Sequence, residues 1–377
     1  MSFHDGDAAI VLEDGRVFRG TSIGADRDVE GEVVFTTTMT GYQEVSTDPS
    51  FRGQIVCMTY PIIGNYGVTP DDEQSRQPWI SGMIVRDYCA EPSNWRSVGT
   101  LGEYFRGHEI PAISGVDTRA LTRHIRTLGA MRGLLVASIA DRSLDELRDR
   151  ARTAWSPADG NVVEDVSRDE QREVGTGDLH VVLIDCGVKE NIVESLRRRD
   201  VHVTVVPFDT PFVDIVALHP DGVLTSPGPG DPENVGSTVE TVRAVIDDEM
   251  PYFGVCLGHQ LLALAIGAST SKLKFGHRGG NHPVLDIATG RVHITSQNHG
   301  YQVDASTVPT GGGWRVAQVS LNDGSVEGLA HERLPIFSVQ YHPEGSPGPQ
   351  DNQYVFDQFL ETLRARKATR TREGVGA

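Results

Sequence analysis

Gly254-Val255-Cys256-Leu257-Gly258 carries the strongest chemical signature in the sequence. A cysteine between glycines, after the apolar run Tyr252–Val255 and before a helical pattern, is the thiol version of the nucleophile elbow. The glycines let the backbone pass close to itself, so the nucleophile can occupy a strained turn at the carboxyl edge of a sheet. A thiol at a helix N-terminus faces unpaired N–H groups and the positive end of the helix dipole, which favour thiolate. The amide of Leu257 then points where an oxyanion would form. The plainer alternative for the pentapeptide alone is a buried cysteine between two packing glycines.

A nucleophilic thiol needs a base and a group that orients the base. Gln340-Tyr341-His342-Pro343-Glu344 offers both. In an extended chain His342 and Glu344 lie on one side, close enough for the carboxylate to hold the imidazole tautomer. An isolated His-x-Glu is more often a solvated turn, but this one follows an apolar strand in the same domain as the elbow. A third element is the loop Ser226-Pro227-Gly228-Pro229-Gly230-Asp231-Pro232. So many prolines and glycines pre-shape it, and glycine amides can face a ligand at little entropic cost. No Gly-Lys-Ser/Thr follows, so it is not a phosphate-binding loop. The clusters Lys274–His282 and Ser296–Tyr301 are dense in Asn, Gln, His and Gly, which suits gripping a small zwitterion. Neither has the carboxylate or thiolate partners of a metal site, so their histidines read as non-ligands.

The elements around these residues form two textures. From His180 onward, short apolar runs at Val181–Ile184, Val201–Pro207, Gly222–Thr225 and Tyr252–Val255 alternate with helical stretches at Asn191–Arg199 and Gly258–Ile266. That alternation predicts an α/β domain with a mostly parallel sheet and helices on both faces. The runs Val292–Thr295, Val316–Val319 and Ile336–Gln340 extend or flank the sheet, and a last helix covers about Gln353–Arg364. The first part of the chain reads as a β-rich α+β domain, with strands at Ala9–Leu12, Val17–Phe18, Val33–Thr37, Ile55–Thr59 and Met83–Val85. Its clearest helix runs Arg119–Leu128 behind the N-cap Asp117, with Gly129 as the stop, and a charged helix follows at Ser143–Thr153. Asp159–Asp178 is polar, acidic and aperiodic, as a linker is. The expected division is therefore 1–155, a linker 156–179, a second domain 180–366 and a flexible tail 367–377.

Composition narrows the function. A formal net charge of −18 opposes attraction to phosphate backbones and argues against a nucleic-acid partner. No apolar run approaches the ~20 residues of a bilayer-crossing helix. The opening residues carry acids where a signal peptide is basic, which points to the cytoplasm. The four cysteines, Cys57, Cys89, Cys186 and Cys256, form no CxxC pair and no disulfide framework. At most one of them is a functional thiol.

Taken together, PGPGDP, GVCLGHQ, SQNHG and a terminal HPE resemble the class I, or triad, glutamine amidotransferases over about His180–Arg364. Within that family the chain looks like the small chains of carbamoyl-phosphate synthetases. FGHRGGNHPV, HPEGSPGP, GEVVFTTTMTGYQEVSTDPSFRGQIV, YPIIGNYG and SGVDTRALTRHIR extend the resemblance to nearly the whole length. It implies that Cys256 attacks the glutamine carboxamide, His342 shuttles the proton and Glu344 orients His342. It also implies an oxyanion hole from the amides of Leu257 and Gly228, and glutamine contacts at Ser50, Gly230, Gln260, Asn298, Gly300 and Tyr301. Lys189 matches a lysine beside the catalytic carboxylate, and Cys186 stands where the family often has an aromatic residue. The chain has no nucleotide motif and no cofactor of its own. The resemblance implies a heterodimer with a large chain that holds ATP and magnesium and makes carbamoyl phosphate for arginine and pyrimidine biosynthesis. Two rivals are a glutaminase subunit of the anthranilate or GMP synthesis type, which normally lacks the amino-terminal block, and a non-catalytic regulatory subunit, against which the intact Cys256, His342 and Glu344 argue.

Overall fold

In the computed structural model, which describes residues 6–375, the chain divides into two units. The first comprises the residues up to Val162 together with Lys274–Gly279, and the second Val163–Leu273 with the rest from Gly280.

Nine strands belong to the first unit: β1 (Ala8–Leu12), β2 (Val17–Ser22), β3 (Val29–Thr36), β4 (Gln54–Met58), β5 (Ile62–Ile63), β6 (Gly82–Ile84), β7 (Asp87–Tyr88), β8 (Ala112–Ser114) and β9 (Met131–Val136). Seven of them close into a barrel in the order β1-β2-β8-β6-β4-β3-β9, with β5 and β7 paired separately. Closure removes the unpaired edges that so many short strands would otherwise expose. Four helices accompany them: α1 (Tyr42–Thr47), α2 (Leu101–Gly107), α3 (Thr118–Leu128) and α4 (Leu144–Arg152). Asp117 caps α3 by accepting from the Ala120 amide, and Gly129 ends it at φ 117°, as the sequence predicts.

The second unit runs α5 (Val163–Val166), β10 (Arg172–Val174), β11 (Leu179–Asp185), α6 (Glu190–Arg197), β12 (Val201–Pro207), α7 (Phe212–Ala217), β13 (Gly222–Thr225), α8 (Gly236–Asp247), β14 (Tyr252–Val255), α9 (Leu257–Ala265), β15 (Thr270–Asp286), β16 (Val292–Val303), β17 (Trp314–Ser320), β18 (Val326–His331), β19 (Ile336–Val339) and α10 (Tyr354–Val375). Its sheet has the order β10-β12-β11-β13-β14-β19-β18-β17-β15-β16. The strands β12, β11, β13, β14 and β19 pair in parallel, and an antiparallel extension begins at β18. Alternation along β11 splits the core between two faces. Val181 and Leu183 pack with Ile192 and Leu196 of α6 and with Phe356, Phe359 and Leu363 of α10. Val182 and Ile184 pack with Val242 and Val245 of α8 and Leu261 of α9. Each fully buried Leu or Phe contributes roughly 1.5–3 kcal/mol, so both faces anchor the sheet edge that carries the site.

Three boundaries differ from the sequence reading. The stretch 156–179, read as a linker, is ordered. Ser156 caps a single turn at Pro157–Asp159, Val163 and Val166 of α5 are buried, and β10 pairs antiparallel with β12. Its polar residues are engaged: Arg132 grips Asp159 with both terminal nitrogens at 2.6 Å, and Arg168 and Arg172 both reach Glu190. The second domain is also interrupted, since Lys274–Gly279 belongs with the first unit. The tail expected at 367–377 continues α10 to Val375, because no glycine or proline interrupts the sequence between Tyr354 and Arg372. Residues 376 and 377 lie outside the described residues.

Candidate active site

The parallel order brings the carboxyl ends of β11, β13, β14 and β19 side by side, the edge where open α/β sheets place their ligands. Each strand delivers one part of a buried cluster.

From β14 the chain turns into α9 through Cys256, whose φ of 54° and ψ of −101° are strained for a residue with a side chain. The strain is held by close backbone approaches. A Cβ on Gly254 would sit 2.5 Å from the Gly258 carbonyl oxygen, and one on Gly258 would meet the Thr225 oxygen at 2.3 Å. The Cys256 amide donates to Val339 at 2.9 Å, and its carbonyl accepts from His259 and Gln260, which starts the helix. Leu257 is the first residue of α9, so no intrahelical carbonyl is available to its amide. Only 2% of Cys256 is exposed; its thiol donates to the Asn298 carbonyl at 3.7 Å and accepts from Gln340 Nε2 at 3.6 Å.

Beyond β19 stand His342 and Glu344, both buried. His342 Nδ1 and Glu344 Oε1 are 2.7 Å apart. The contact is made across a turn rather than along an extended strand, with the Gly345 amide donating to the His342 carbonyl. Nε2, the nitrogen opposite the carboxylate, is buried and has no hydrogen-bond partner among the described residues. Burial opposes the charged imidazolium, but the charges of Glu344 and Cys256 outweigh it and raise the His342 pKa.

β11 supplies the counter-charge. Asp185 at its end accepts from the amides of Gly187, Val188 and Arg168, which shapes the loop leading to Lys189. Lys189 is itself buried and places Nζ 3.0 Å from Glu344 Oε1 and 2.5 Å from the Gly345 carbonyl. Asn191 Nδ2 donates to the Glu344 carbonyl at 2.6 Å. Burial penalises the Glu344 carboxylate, yet Lys189 and His342 overcome that penalty and pull its pKa down to about 2. The carboxylate therefore stays ionised through neutral pH.

β13 feeds the Ser226–Gly230 loop. The Cys186 amide donates to Ser226 Oγ at 2.9 Å, the Gly258 amide donates to the Ser226 carbonyl at 3.2 Å, and Gly230 sits at φ 85°. A Cβ on Gly228 would lie 2.2 Å from the Cys186 carbonyl oxygen and 2.7 Å from Leu257 Cδ2, so only glycine brings this loop against the start of α9. β16 contributes Asn298, Gly300 and Tyr301, and the Tyr301 carbonyl accepts from Gln260 Nε2 at 2.9 Å. Ser50 belongs to the first unit, where it is buried and its hydroxyl has no hydrogen-bond partner among the described residues.

One residue at the thiol was quoted in the sequence but given no role. Gln340 is fully buried and bridges Cys256 Sγ and Gln260 Nε2, the latter at 3.0 Å. Its place two residues before His342 was the available signal.

Residues 182–362 match the family described as glutamine amidotransferase class-I, and residues 10–135 match the carbamoyl-phosphate synthase small chain, CPSase domain. The carbamoyl phosphate synthase small chain of Symbiobacterium thermophilum is 50% identical over 364 residues, which is 96% of this chain and all of that one. The chain belongs to the carbamoyl phosphate synthase small chain family. Relatives of the same name from Listeria monocytogenes, 49% identical over 95% of this chain and 97% of theirs, and from Archaeoglobus fulgidus, 48% identical over 95% and 99%, span bacteria and archaea. The amidotransferase match covers every strand end described above, and the small-chain match covers all of the barrel but its outermost residues. An isolated glutaminase of another pathway would not bring that second match. Within the family the chain is the small, glutamine-hydrolysing component of carbamoyl phosphate synthase.

Proposed function

We propose that Cys256, His342 and Glu344 hydrolyse L-glutamine in the cytoplasm and that the ammonia passes to a large, ATP- and magnesium-using chain, which condenses it with bicarbonate. The observation that carries this reading is the buried line His342–Glu344–Lys189 ending behind the strained Cys256. The Cys256 sulfur attacks the carboxamide carbon, and the resulting oxyanion meets the amides of Leu257 and Gly228, each such donor contributing roughly 3–4 kcal/mol to the transition state. Imidazolium His342 then gives its proton to the departing nitrogen as the C–N bond breaks, leaving ammonia and a γ-glutamyl thioester. Neutral His342 next takes a proton from water, hydroxide opens the thioester, and glutamate and the free thiol are restored. Glu344 holds the ring tautomer and stabilises the imidazolium, while Lys189 keeps Glu344 ionised. Gly230, Gln260, Asn298, Gly300 and Tyr301 serve the substrate's other groups. This chain needs no cofactor for these steps. Among the described residues no helix is long and apolar enough to cross a membrane, and the net charge of −18 disfavours nucleic acid.

The test is Cys256→Ser in the assembled enzyme. Glutamine-dependent carbamoyl phosphate synthesis should vanish while ammonia-dependent synthesis persists. Loss of both in a correctly assembled complex would overturn the division of labour. Glutaminase kcat of the chain alone, with the large chain, and with ATP and bicarbonate should rise along that series, since the sequence carries no recognisable nucleotide motif and the signal would come from the large chain.

A further inference from the structure

Apart from the Cys256 cluster, three side chains of the second unit bring metal-ligating atoms together. One atom each from Glu173, His180 and His202 lie within 4.8 Å of one another. The topology puts them there. His180 and His202 are direct neighbours across the parallel β11–β12 pair, and Glu173 on the edge strand β10 lies opposite Thr204 of β12. Residues two apart on a strand share a face, so Thr204 stands beside His202. The imidazoles stack, with centroids 4.3 Å apart and planes at 16°. Glu173 Oε2 lies 2.6 Å from His202 Nε2 and accepts from Thr204 Oγ1 at 2.8 Å, while Thr204 Oγ1 lies 2.7 Å from His180 Nε2. His180 Nε2 and the carboxylate oxygen therefore converge on one hydroxyl, and His202 Nε2 joins them through the carboxylate.

We propose that Glu173, His180 and His202 form a binding site for a late divalent transition metal of the zinc class, separate from the Cys256 site. Two imidazoles and one carboxylate are a common donor set for such an ion, and water completes a tetrahedron. Modest side-chain rotation brings the three donors to the ~2 Å metal–ligand distances this needs. Access favours it, because the His202 and Glu173 side chains are 33% and 49% exposed. His180 lies near the amino end of β11, whereas Asp185 and the Cys256 partners lie at the carboxyl end. The ion would fasten the short β10 to the two strands beside it, without touching the glutaminase chemistry.

The probe is cobalt(II), titrated into the full chain after alkylation of Cys256, with visible absorption recorded and zinc(II) used to compete. One equivalent should bind without a thiolate charge-transfer band, and zinc should displace it. In His202→Gln and Glu173→Gln that equivalent should weaken at least tenfold while the far-UV circular dichroism is unchanged. Glu173 is exposed on an edge strand, so its variant folds even if the histidine variant does not. No binding, a thiolate band, or binding unaltered by Glu173→Gln would overturn the proposal and leave the cluster as a hydrogen-bonded strap.

Discussion

Glu344→Gln isolates the charge of the buried carboxylate while keeping its shape. In the native chain Oε1 lies 2.7 Å from His342 Nδ1 and 3.0 Å from Lys189 Nζ, with Glu344 wholly buried. The charge centres of a carboxylate and an imidazolium in such contact are ~4 Å apart, an attraction of about 4 kcal/mol at an effective dielectric constant near 20. Glutamine can still accept from Nδ1, so the loss falls on the charged form of His342, the proposed donor to the leaving nitrogen. Glutaminase kcat should drop ~10³-fold, and up to ~10⁴-fold if the amide turns its NH₂ toward the ring and selects the wrong tautomer. The same substitution strands Lys189 without its counter-ion, a defect of about 3–5 kcal/mol in folding stability. The two effects separate in the double variant Glu344→Gln/Lys189→Met, which should regain much of the stability and none of the turnover. The assay pairs steady-state glutaminase kinetics with urea unfolding for the native chain and both variants. A kcat within tenfold of native for Glu344→Gln, or turnover restored by the second substitution, would refute the electrostatic role given to this carboxylate.

Four further outcomes follow from the geometry. His259 is fully buried with its pKa lowered to about 3 by burial, so the unfolded chain takes up a proton below its ordinary pKa near 6.5 and the folded chain does not. Stability from this residue is complete above pH 6.5 and falls with acid at up to ~1.4 kcal/mol per pH unit, and His259→Leu should flatten urea-unfolding curves between pH 6.5 and 4 relative to native. Gly228→Ala, whose methyl would sit 2.2 Å from the Cys186 oxygen, should displace the loop and cost ~10²–10³ in kcat by removing an oxyanion donor, with KM moving less. Cys186→Ala should leave kcat nearly native and lower Tm by a few degrees, because that thiol is buried in the core, where burial and the charge of Asp185 raise its pKa. Gln340→Met should cost ~10–10² in kcat/KM, the worth of one hydrogen bond to a charged sulfur, without loss of fold by circular dichroism.

Strands that are buried on both faces were the legible part of the fold. Val201–Pro207, Gly222–Thr225 and Tyr252–Val255 coincide with β12, β13 and β14, because strands covered by helices on both sides read as unbroken apolar runs. β15 gave no such signal, and β16 only in its first residues, Val292–Thr295. Both are rich in Gly, His, Asn and Gln, and the stretches they bury, 276–279 and 295–299, are polar, so no apolar run marks them. Barrel closure was hidden for another reason: it depends on β1 meeting β9 and β2 meeting β8, pairings between distant residues that no local period reports. The ordered segment 156–179 shows the converse error. Low hydrophobicity reads as freedom, whereas Arg168 and Arg172 hold Glu190.

The candidate site follows the same rule. Cys256 was readable because its requirements are local: a strand, two glycines where a Cβ would lie 2.3–2.5 Å from carbonyl oxygens, and a helix start. His342 and Glu344 were readable as a pair because two residues of chain bring them together. Lys189, on a loop after β11, came only from resemblance, since nothing in its surroundings predicts a partner 155 residues away in the sequence. Gln340 was passed over because an amide has no charge to advertise, yet it is the side chain that meets the sulfur. The parallel order β11-β13-β14-β19 converts these separate signals into one site, since every strand must point its carboxyl end the same way. The proposed nucleophile after β14 therefore has its proposed loop donor on one side and its proposed base on the other, and the Lys189 charge that follows β11 reaches Glu344 beside that base. The chemistry is distributed over strands that the sequence reveals one at a time, and the sheet alone sets the distances between them.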